Sequence, residues 1–246
     1  MNPKHAFTLA LLITLLIASN FFIVSNYKNP ERKTVLVTRV IDGDTLIVEE
    51  DLTLRLLNIN TPEKNHPGYK EALEFIKQFE NQTVEIEEMG RERYGRTLAR
   101  VYTPEYLNLE LVELGLATKF LVHESELKLF NNAENDAVAN SLGIFKKSKY
   151  FNCIDLKINP EEEIIKIKSK CGKLNFDKWL IKDESRKEYK FENLIISEIN
   201  IHTEKGEDNE TDIFLQSPQD VWNNDRDTVY IFDSQQKIVH HESYSY

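Results

Sequence analysis

At 246 residues the chain exceeds what one typical domain needs, and two domains are expected. Hydrophobic residues make up 41% and aromatics 10%, which excludes a wholly disordered chain, and eight glycines with seven prolines exclude a collagen-like or linker-dominated one. A net charge of −10 excludes a polycation that grips nucleic acid by overall charge, so any phosphate chemistry must come from a local basic cluster.

The first element is an apolar run at 6–24, nineteen residues without a charge, preceded by Lys4 and followed by a polar stretch at 25–33. A helix of that length can just span the hydrocarbon core of a bilayer. It reads as a cleaved signal peptide or an uncleaved membrane anchor. The run continues through Phe21, Phe22 and Ile23 past the small residues Ala18 and Ser19, which favours the anchor. Residues 1–33 are therefore expected to be a signal or transmembrane segment with its tether.

The next body, 34–150, reads as strands at 34–40, 45–48 and 52–57, with Asp42-Gly43 as a turn between the first two. Ala72, Leu73, Phe75, Ile76 and Phe79 have helical spacing. Strands are expected again at 84–89 and 98–102, and helices at 107–116 and from Leu127 to Val138. Five strands followed by helices suit a small OB-type barrel. Arg91, Arg93, Arg96 and Arg100 form the densest arginine cluster in the chain.

The last body, 151–246, has short strand candidates at 164–167, 179–181, 194–201, 212–215, 228–232 and 238–240, separated by polar turns, and suggests a β-sandwich. The acidic runs at 161–163 and 204–210 read as solvated loops. Trp179 and Trp222 read as core residues. The chain's two cysteines, Cys153 and Cys171, are not in a C-x-x-C pair, which excludes a Cys-rich zinc module and a thioredoxin-type motif. They flank an expected hairpin and could pair in an oxidising compartment. The alternative is two free buried thiols, and the apolar N-terminal run favours pairing.

Three polar groupings in the first body carry chemistry. Asp42-Gly43-Asp44-Thr45 sets two carboxylates around a tight turn, and Asn60-Thr61-Pro62-Glu63 adds further oxygen ligands and a carboxylate; hard cations such as Ca²⁺ or Mg²⁺ prefer such donors. Arg55 lies within the apolar strand Leu54-Arg55-Leu56-Leu57 and must find a partner or a substrate. Arg96 follows the turn at Tyr94-Gly95. A cation, two guanidiniums and a carboxylate base are what phosphodiester hydrolysis needs. The chain has no G-x-S-x-G and no P-loop.

Val40-Ile41-Asp42-Gly43-Asp44-Thr45, then Arg55-Leu56-Leu57-Asn58-Ile59-Asn60-Thr61-Pro62-Glu63, then Tyr94-Gly95-Arg96 with Leu98-Ala99, resemble the staphylococcal nuclease (thermonuclease) family in order and spacing, and Asn108 to Ala117 continues the match. The resemblance spans about 34–146. It implies an OB-fold barrel and Ca²⁺-dependent cleavage of DNA and RNA. It implies Asp44 as a carboxylate ligand of the metal, Asn60 as a side-chain ligand, Thr61 as a backbone ligand, and Asp42 supporting them from behind. Arg55 and Arg96 would clamp the phosphate, Glu63 would be the general base, and Arg93 and Tyr94 would hold a terminal phosphate. The chain departs from the family at Asn60, where Asp is usual, and at Leu121 and His123, where tyrosines flank the substrate bases.

Trp179-Leu180-Ile181-Lys182-Asp183-Glu184 and Asp220-Val221-Trp222-Asn223-Asn224-Asp225, with the strand after them, resemble the lamin-tail domain. That resemblance implies an immunoglobulin-like sandwich with a binding role over about 152–246. The expected function is thus a metal-dependent nuclease held at, or secreted across, the cytoplasmic membrane. The competing reading is a non-enzymatic surface adaptor built on a degenerate barrel.

Overall fold

The structure is a computed structural model that describes residues 31–246; the apolar run at 6–24 lies outside the described residues. Among the described residues no helix is long and apolar enough to cross a membrane.

Strands β1 (Lys33–Val40), β2 (Thr45–Val48) and β3 (Leu52–Leu56) form an antiparallel meander. The short β4 (Ile59–Asn60) and helix α1 (Tyr69–Lys77) follow, then the hairpin β5 (Thr83–Arg91) and β6 (Thr97–Tyr102). The sheet closes as a five-stranded barrel in the order β1-β2-β3-β6-β5. One pairing, β3 with β6, is parallel and sets Arg55 opposite Leu98, so the barrel is mixed. Its core is made by the inward-facing residues Val37, Leu46, Leu54, Leu56, Ile86 and Val101, all at or near zero exposure. Each such side chain contributes roughly 1.5–3 kcal/mol by leaving water.

Helix α2 (Leu107–Glu113), strand β7 (Thr118–Lys119) and helix α3 (Leu127–Ala139) complete this part, giving three α-helices among the described residues. Asn108 is buried and works as a joint: its Oδ1 accepts from Val101 N at 3.0 Å, and its Nδ2 donates to Leu57 O at 2.9 Å and Ala99 O at 3.0 Å. It pins α2 to the barrel wall. β7 pairs antiparallel with β4, and so holds the segment that carries Asn60.

The C-terminal region is β-rich. One four-stranded sheet runs β12 (Glu188–Lys190), β11 (Leu180–Lys182), β16 (Asp227–Phe232), β17 (Ile238–Tyr244); a second runs β15 (Asp212–Phe214), β14 (Glu198–His202), β9 (Ile164–Ser169), β8 (Ile154–Asn159). A two-stranded ladder joins β10 (Leu174–Asn175) and β13 (Ile195–Ile196). The sheets share one core, with Ile154, Ile165, Ile167 and Ile201 from one and Ile181, Val229 and Ile231 from the other. Trp179 and Trp222 lie in that core, and Trp179 stacks on Phe176 with ring centres 4.2 Å apart.

The single strand expected at 194–201 is two elements, β13 and β14, separated at Ser197, and they pair with different partners. The acidic run at 161–163 is not wholly solvated. Glu163 carboxylate oxygens accept from Val221 N at 2.9 Å and Trp222 N at 3.2 Å, so this residue fixes the approach of Trp222 to the core. Cys153 precedes β8 and Cys171 follows β9, at the open end of the hairpin, and they are joined in a disulfide with Cα atoms 5.3 Å apart.

Residues Thr34–Tyr246 form one compact unit. The reason is chemical as well as steric. The second face of the β11-β16-β17 sheet packs Leu180, Tyr230, Phe232 and Ile238 on Ala137, Val138 and Phe145, which come from α3 and the segment after it. Beneath this contact Lys119 and Glu134, both fully buried, form an ion pair. Glu134 Oε1 also accepts from Tyr230 OH at 2.7 Å, and Lys119 Nζ donates to Ser243 Oγ at 2.9 Å. Two buried charges are tolerated only when paired and hydrogen-bonded in this way.

Candidate active site

The β1–β2 turn brings the first carboxylates. Asp42 Oδ1 accepts from Asp44 N at 3.0 Å, so Asp42 shapes the turn that presents Asp44. Gly43 is required for close approach: a Cβ there would meet Thr61 Oγ1 at 2.8 Å and Ala72 Cβ at 2.8 Å. Asp44 is at 0% exposure. Its Oδ2 accepts from Thr61 N at 2.9 Å and Thr61 Oγ1 at 3.0 Å, and faces Arg55 Nη2 at 3.3 Å. Its Oδ1 accepts from Thr45 Oγ1 at 3.2 Å. Burial pushes the Asp44 carboxyl upward, but the charges of Arg55 and Arg186 and the Thr61 hydrogen bonds more than offset it, and the group lies below the usual carboxylate value. Asp42 shifts the other way, raised by burial and by the charge of Asp44.

Arg55 emerges from β3 with its side chain only 7% exposed. Its Nη1 donates to Leu56 O at 2.5 Å, and its Nη2 donates to Ile59 O at 2.7 Å and Asn60 Oδ1 at 2.6 Å. The strand arginine has therefore found its partners within the protein. Asn60 is buried as well, and its Nδ2 donates to the backbone carbonyl of Glu184 at 2.9 Å. Glu63 is half-exposed, and its carboxylate pairs with Arg186 Nη1. Arg186 Nη2 donates to Asp44 Oδ2 at 2.7 Å.

Arg96 pairs with Glu92 through its Nε, and its Nη1 reaches Thr45 Oγ1 at 3.5 Å. Arg93 and Tyr94 sit at the exposed tip of the β5–β6 hairpin, Tyr94 at 81% exposure. The arginine cluster splits by role. Arg91 and Arg93 are exposed, Arg96 is linked to the site through Thr45, and Arg100 is bound to Glu87 and Glu126 at 3.2 and 2.8 Å as a structural tie. Leu121 and His123, where the resemblance would put tyrosines, are both exposed; Leu121 is at 66%, and His123 Nδ1 accepts from Ser125 N at 3.3 Å.

The structure thus joins Asp42, Asp44, Arg55, Asn60, Thr61, Glu63 and Arg96 in one connected group, with Arg93 and Tyr94 on the neighbouring hairpin. Sequence reasoning missed Arg186 and the Glu184 carbonyl. They lie in the β11–β12 loop, and Arg186 is 142 residues from Asp44 in the chain, so no local pattern marks them.

Among the described residues no group of three or more His, Cys, Asp or Glu is arranged to hold a metal ion. The donor set around Asp44 nonetheless fits a hard cation in kind: a buried carboxylate, the Asn60 amide oxygen, which faces Arg55, and the Thr61 hydroxyl oxygen beside Asp44.

Residues 53–147 match the family model described as staphylococcal nuclease homologue. The thermonuclease of Staphylococcus hyicus is 38% identical over 122 residues, covering 44% of this chain and 72% of that protein. The thermonuclease of Staphylococcus intermedius is 35% identical over 130 residues, covering 47% and 77%. An uncharacterized endonuclease of Haemophilus influenzae is 30% identical over 151 residues, covering 59% and 80%. Motifs, barrel and relatives agree, and the chain belongs to the staphylococcal nuclease family as a thermonuclease-like phosphodiesterase.

Proposed function

We propose that this nuclease cleaves both DNA and RNA, uses Ca²⁺, and works outside the cytoplasmic membrane. The observation that carries the chemistry is the linkage of Asp44, Arg55, Glu63 and Arg96, from separate turns and strands, into one hydrogen-bonded group through Thr45 and Arg186. Asp44, Asn60 and Thr61 would hold the cation, with Asp42 fixing the turn behind Asp44. When bound, such a cation supplies positive charge to the phosphoryl oxygens and polarises them. Glu63, on the open side of the cleft, takes the proton from the attacking water. Arg96 offsets the charge that grows on the phosphoryl oxygens, while buried Arg55 fixes Asp44 and Asn60 in place. Arg93 and Tyr94, exposed on the hairpin, meet a terminal phosphate of the substrate.

The reading of 1–33 as a membrane anchor and tether or cleaved signal, of 34–150 as an OB-fold barrel, and of 151–246 as an immunoglobulin-like lamin-tail domain belongs to the same proposal. It is supported by the uncharged run, by the two β-sheets that share a core, and by a disulfide, which requires an oxidising compartment to persist. Plasmid DNA and a structured RNA incubated with the full chain and Ca²⁺ test the chemistry: both should be cut, and chelator should stop the cutting. Cutting that is indifferent to chelator would overturn the metal assignment. Protease added to intact cells should digest 151–246; protection of that region would place the enzyme inside.

A further inference from the structure

The C-terminal region brings a cation into the nuclease cleft from outside residues 53–147. The loop that carries it is pinned on both sides. Glu184 N donates to Asp227 Oδ1 at 3.3 Å, the Glu184 carbonyl accepts from Asn60 Nδ2 at 2.9 Å, and Ser185 N donates to Asp183 Oδ1 at 2.8 Å. The barrel and the β11-β16-β17 sheet together therefore set where Arg186 stands.

Arg55 and Arg186 differ in what they have left to give. A guanidinium has five N–H donors. Arg55 is 7% exposed, and its Nη atoms are directed at two carbonyls, the Asn60 amide and Asp44. Arg186 is 34% exposed, and its partners among the described residues are the carboxylates of Asp44 and Glu63, one to each Nη. Its Nε and one hydrogen on each Nη remain open. Beside it lies a cavity of about 100 Å³, lined by Glu63, His66, Lys182 and Glu188 among others.

On the nuclease reading above, we propose that Arg186 is a substrate-binding residue of this active site: a guanidinium supplied by the C-terminal region that grips a substrate phosphate next to Glu63. The planar fork that suits a carboxylate suits a phosphate equally. Because open N–H groups remain while the carboxylates are held, one guanidinium bridges the base and the phosphate, and so aligns them. Arg186 thus works beside Arg96, while Arg55 binds Leu56, Ile59, Asn60 and Asp44 from within its strand.

The test uses the full chain with cleavage silenced by Glu63→Gln, and reads binding of a labelled single-stranded oligonucleotide in Ca²⁺ over a series of salt concentrations. Adding Arg186→Ala should weaken binding about tenfold at ~0.1 M salt, the scale of one charged hydrogen bond, and flatten the salt slope by about 0.7, the value for one phosphate contact on a single strand. Arg186→Lys should keep the slope but recover only part of the affinity. In the active background, Arg186→Ala should raise KM more than it lowers kcat. Unchanged or tighter binding, or faster cleavage, would mean that Arg186 is a plug over Asp44 and Glu63, and would overturn the proposal. An unchanged slope with an equal drop in melting temperature for Ala and Lys would make it a structural tie and overturn it also. If the parent chain binds but never cuts, the nuclease reading fails while an Arg186-dependent slope still supports the contact; if it does not bind at all, both fall.

Discussion

In the proposed function Glu63 is the general base, and its setting makes it separable from the fold. It is half-exposed and its ion-pair partner among the described residues is Arg186, so Glu63→Gln removes the base while keeping the side chain's shape. Turnover should fall by about 10²–10⁴-fold with the melting temperature little changed. A folded, fully active Glu63→Gln enzyme would dismiss this residue as the base. Asn60 is more informative. Its oxygen faces Arg55 and its nitrogen faces the Glu184 carbonyl, so both ends of the amide are used. An aspartate there offers the cation a charge but turns a second acceptor toward a carbonyl. Asn60→Asp should therefore melt lower without calcium, by roughly 1–3 kcal/mol for the acceptor left facing an acceptor, and gain more from added calcium than the parent does. Melting curves with and without the ion decide it. A variant as stable as the parent without calcium would mean that the Glu184 contact carries no weight. The Asn60 amide thus has a partner in the C-terminal part that the motif alone could not reveal.

At the scale of elements, local pattern and outcome part where both faces of an element are covered. α1 and α3 follow the periodicity of their residues because each has one core face and one open face, and β6 alternates buried with half-buried positions. β16 is buried at all six positions, as Val229 and Ile231 enter the sheet-to-sheet core while Tyr230 and Phe232 meet α3. β4 and β7, two residues each, are too short for any period and exist because they pair with one another. Arg186 was illegible for the same reason on a longer range, since its partners are set by tertiary packing. The Lys119–Glu134 pair under this contact has a pH signature. Burial alone would raise the Glu134 carboxyl; the charge of Lys119 and the His241 contact outweigh it and bring it from 4.5 down to about 2. A depressed acid stabilises the folded state above its unfolded value and loses that contribution as pH falls toward the folded one. Some 3 kcal/mol should disappear between about pH 4.5 and 2, at 1.36 kcal/mol per unit. Glu134→Gln should cost roughly 3 kcal/mol at neutral pH by leaving buried Lys119 with only the longer Glu184 contact at 3.8 Å as a counter-charge, with the gap from the parent narrowing in acid. A gap that stays constant from pH 5 to 2 would contradict the pairing.

For the whole molecule, the C-terminal sheets supply Tyr230, Ser243 and His241 to the buried Lys119–Glu134 pair of the barrel part, pack on its apolar face and reach its site, so cutting the chain near residue 150 should not release an independent enzyme. The truncated barrel would expose Ala137, Val138 and Phe145 and strip Glu134 of Tyr230 and His241. It should melt well below the full chain or aggregate; an equally stable, equally active fragment would show that the two parts are merely adjacent. Within the C-terminal part, reducing the disulfide, which joins residues 18 apart, should cost about 3 kcal/mol by the loop-entropy account. Melting with and without reductant measures it, and an unchanged curve would mean that the hairpin needs no staple.

The double burial of β16 has a consequence for how the molecule opens. A strand covered on both sides cannot swap its amide hydrogens with solvent until both layers part, so exchange at Val229, Tyr230 and Ile231 reports the largest opening the chain undergoes. One of those layers is α3, which packs against α2 and through it the barrel. If barrel amides such as those of Leu54 and Val101 exchange with the same free energy as these, nuclease and appendage breathe as a single cooperative body, and a disturbance in the distant sheet will be felt at Glu63 as lost residence time of the closed site.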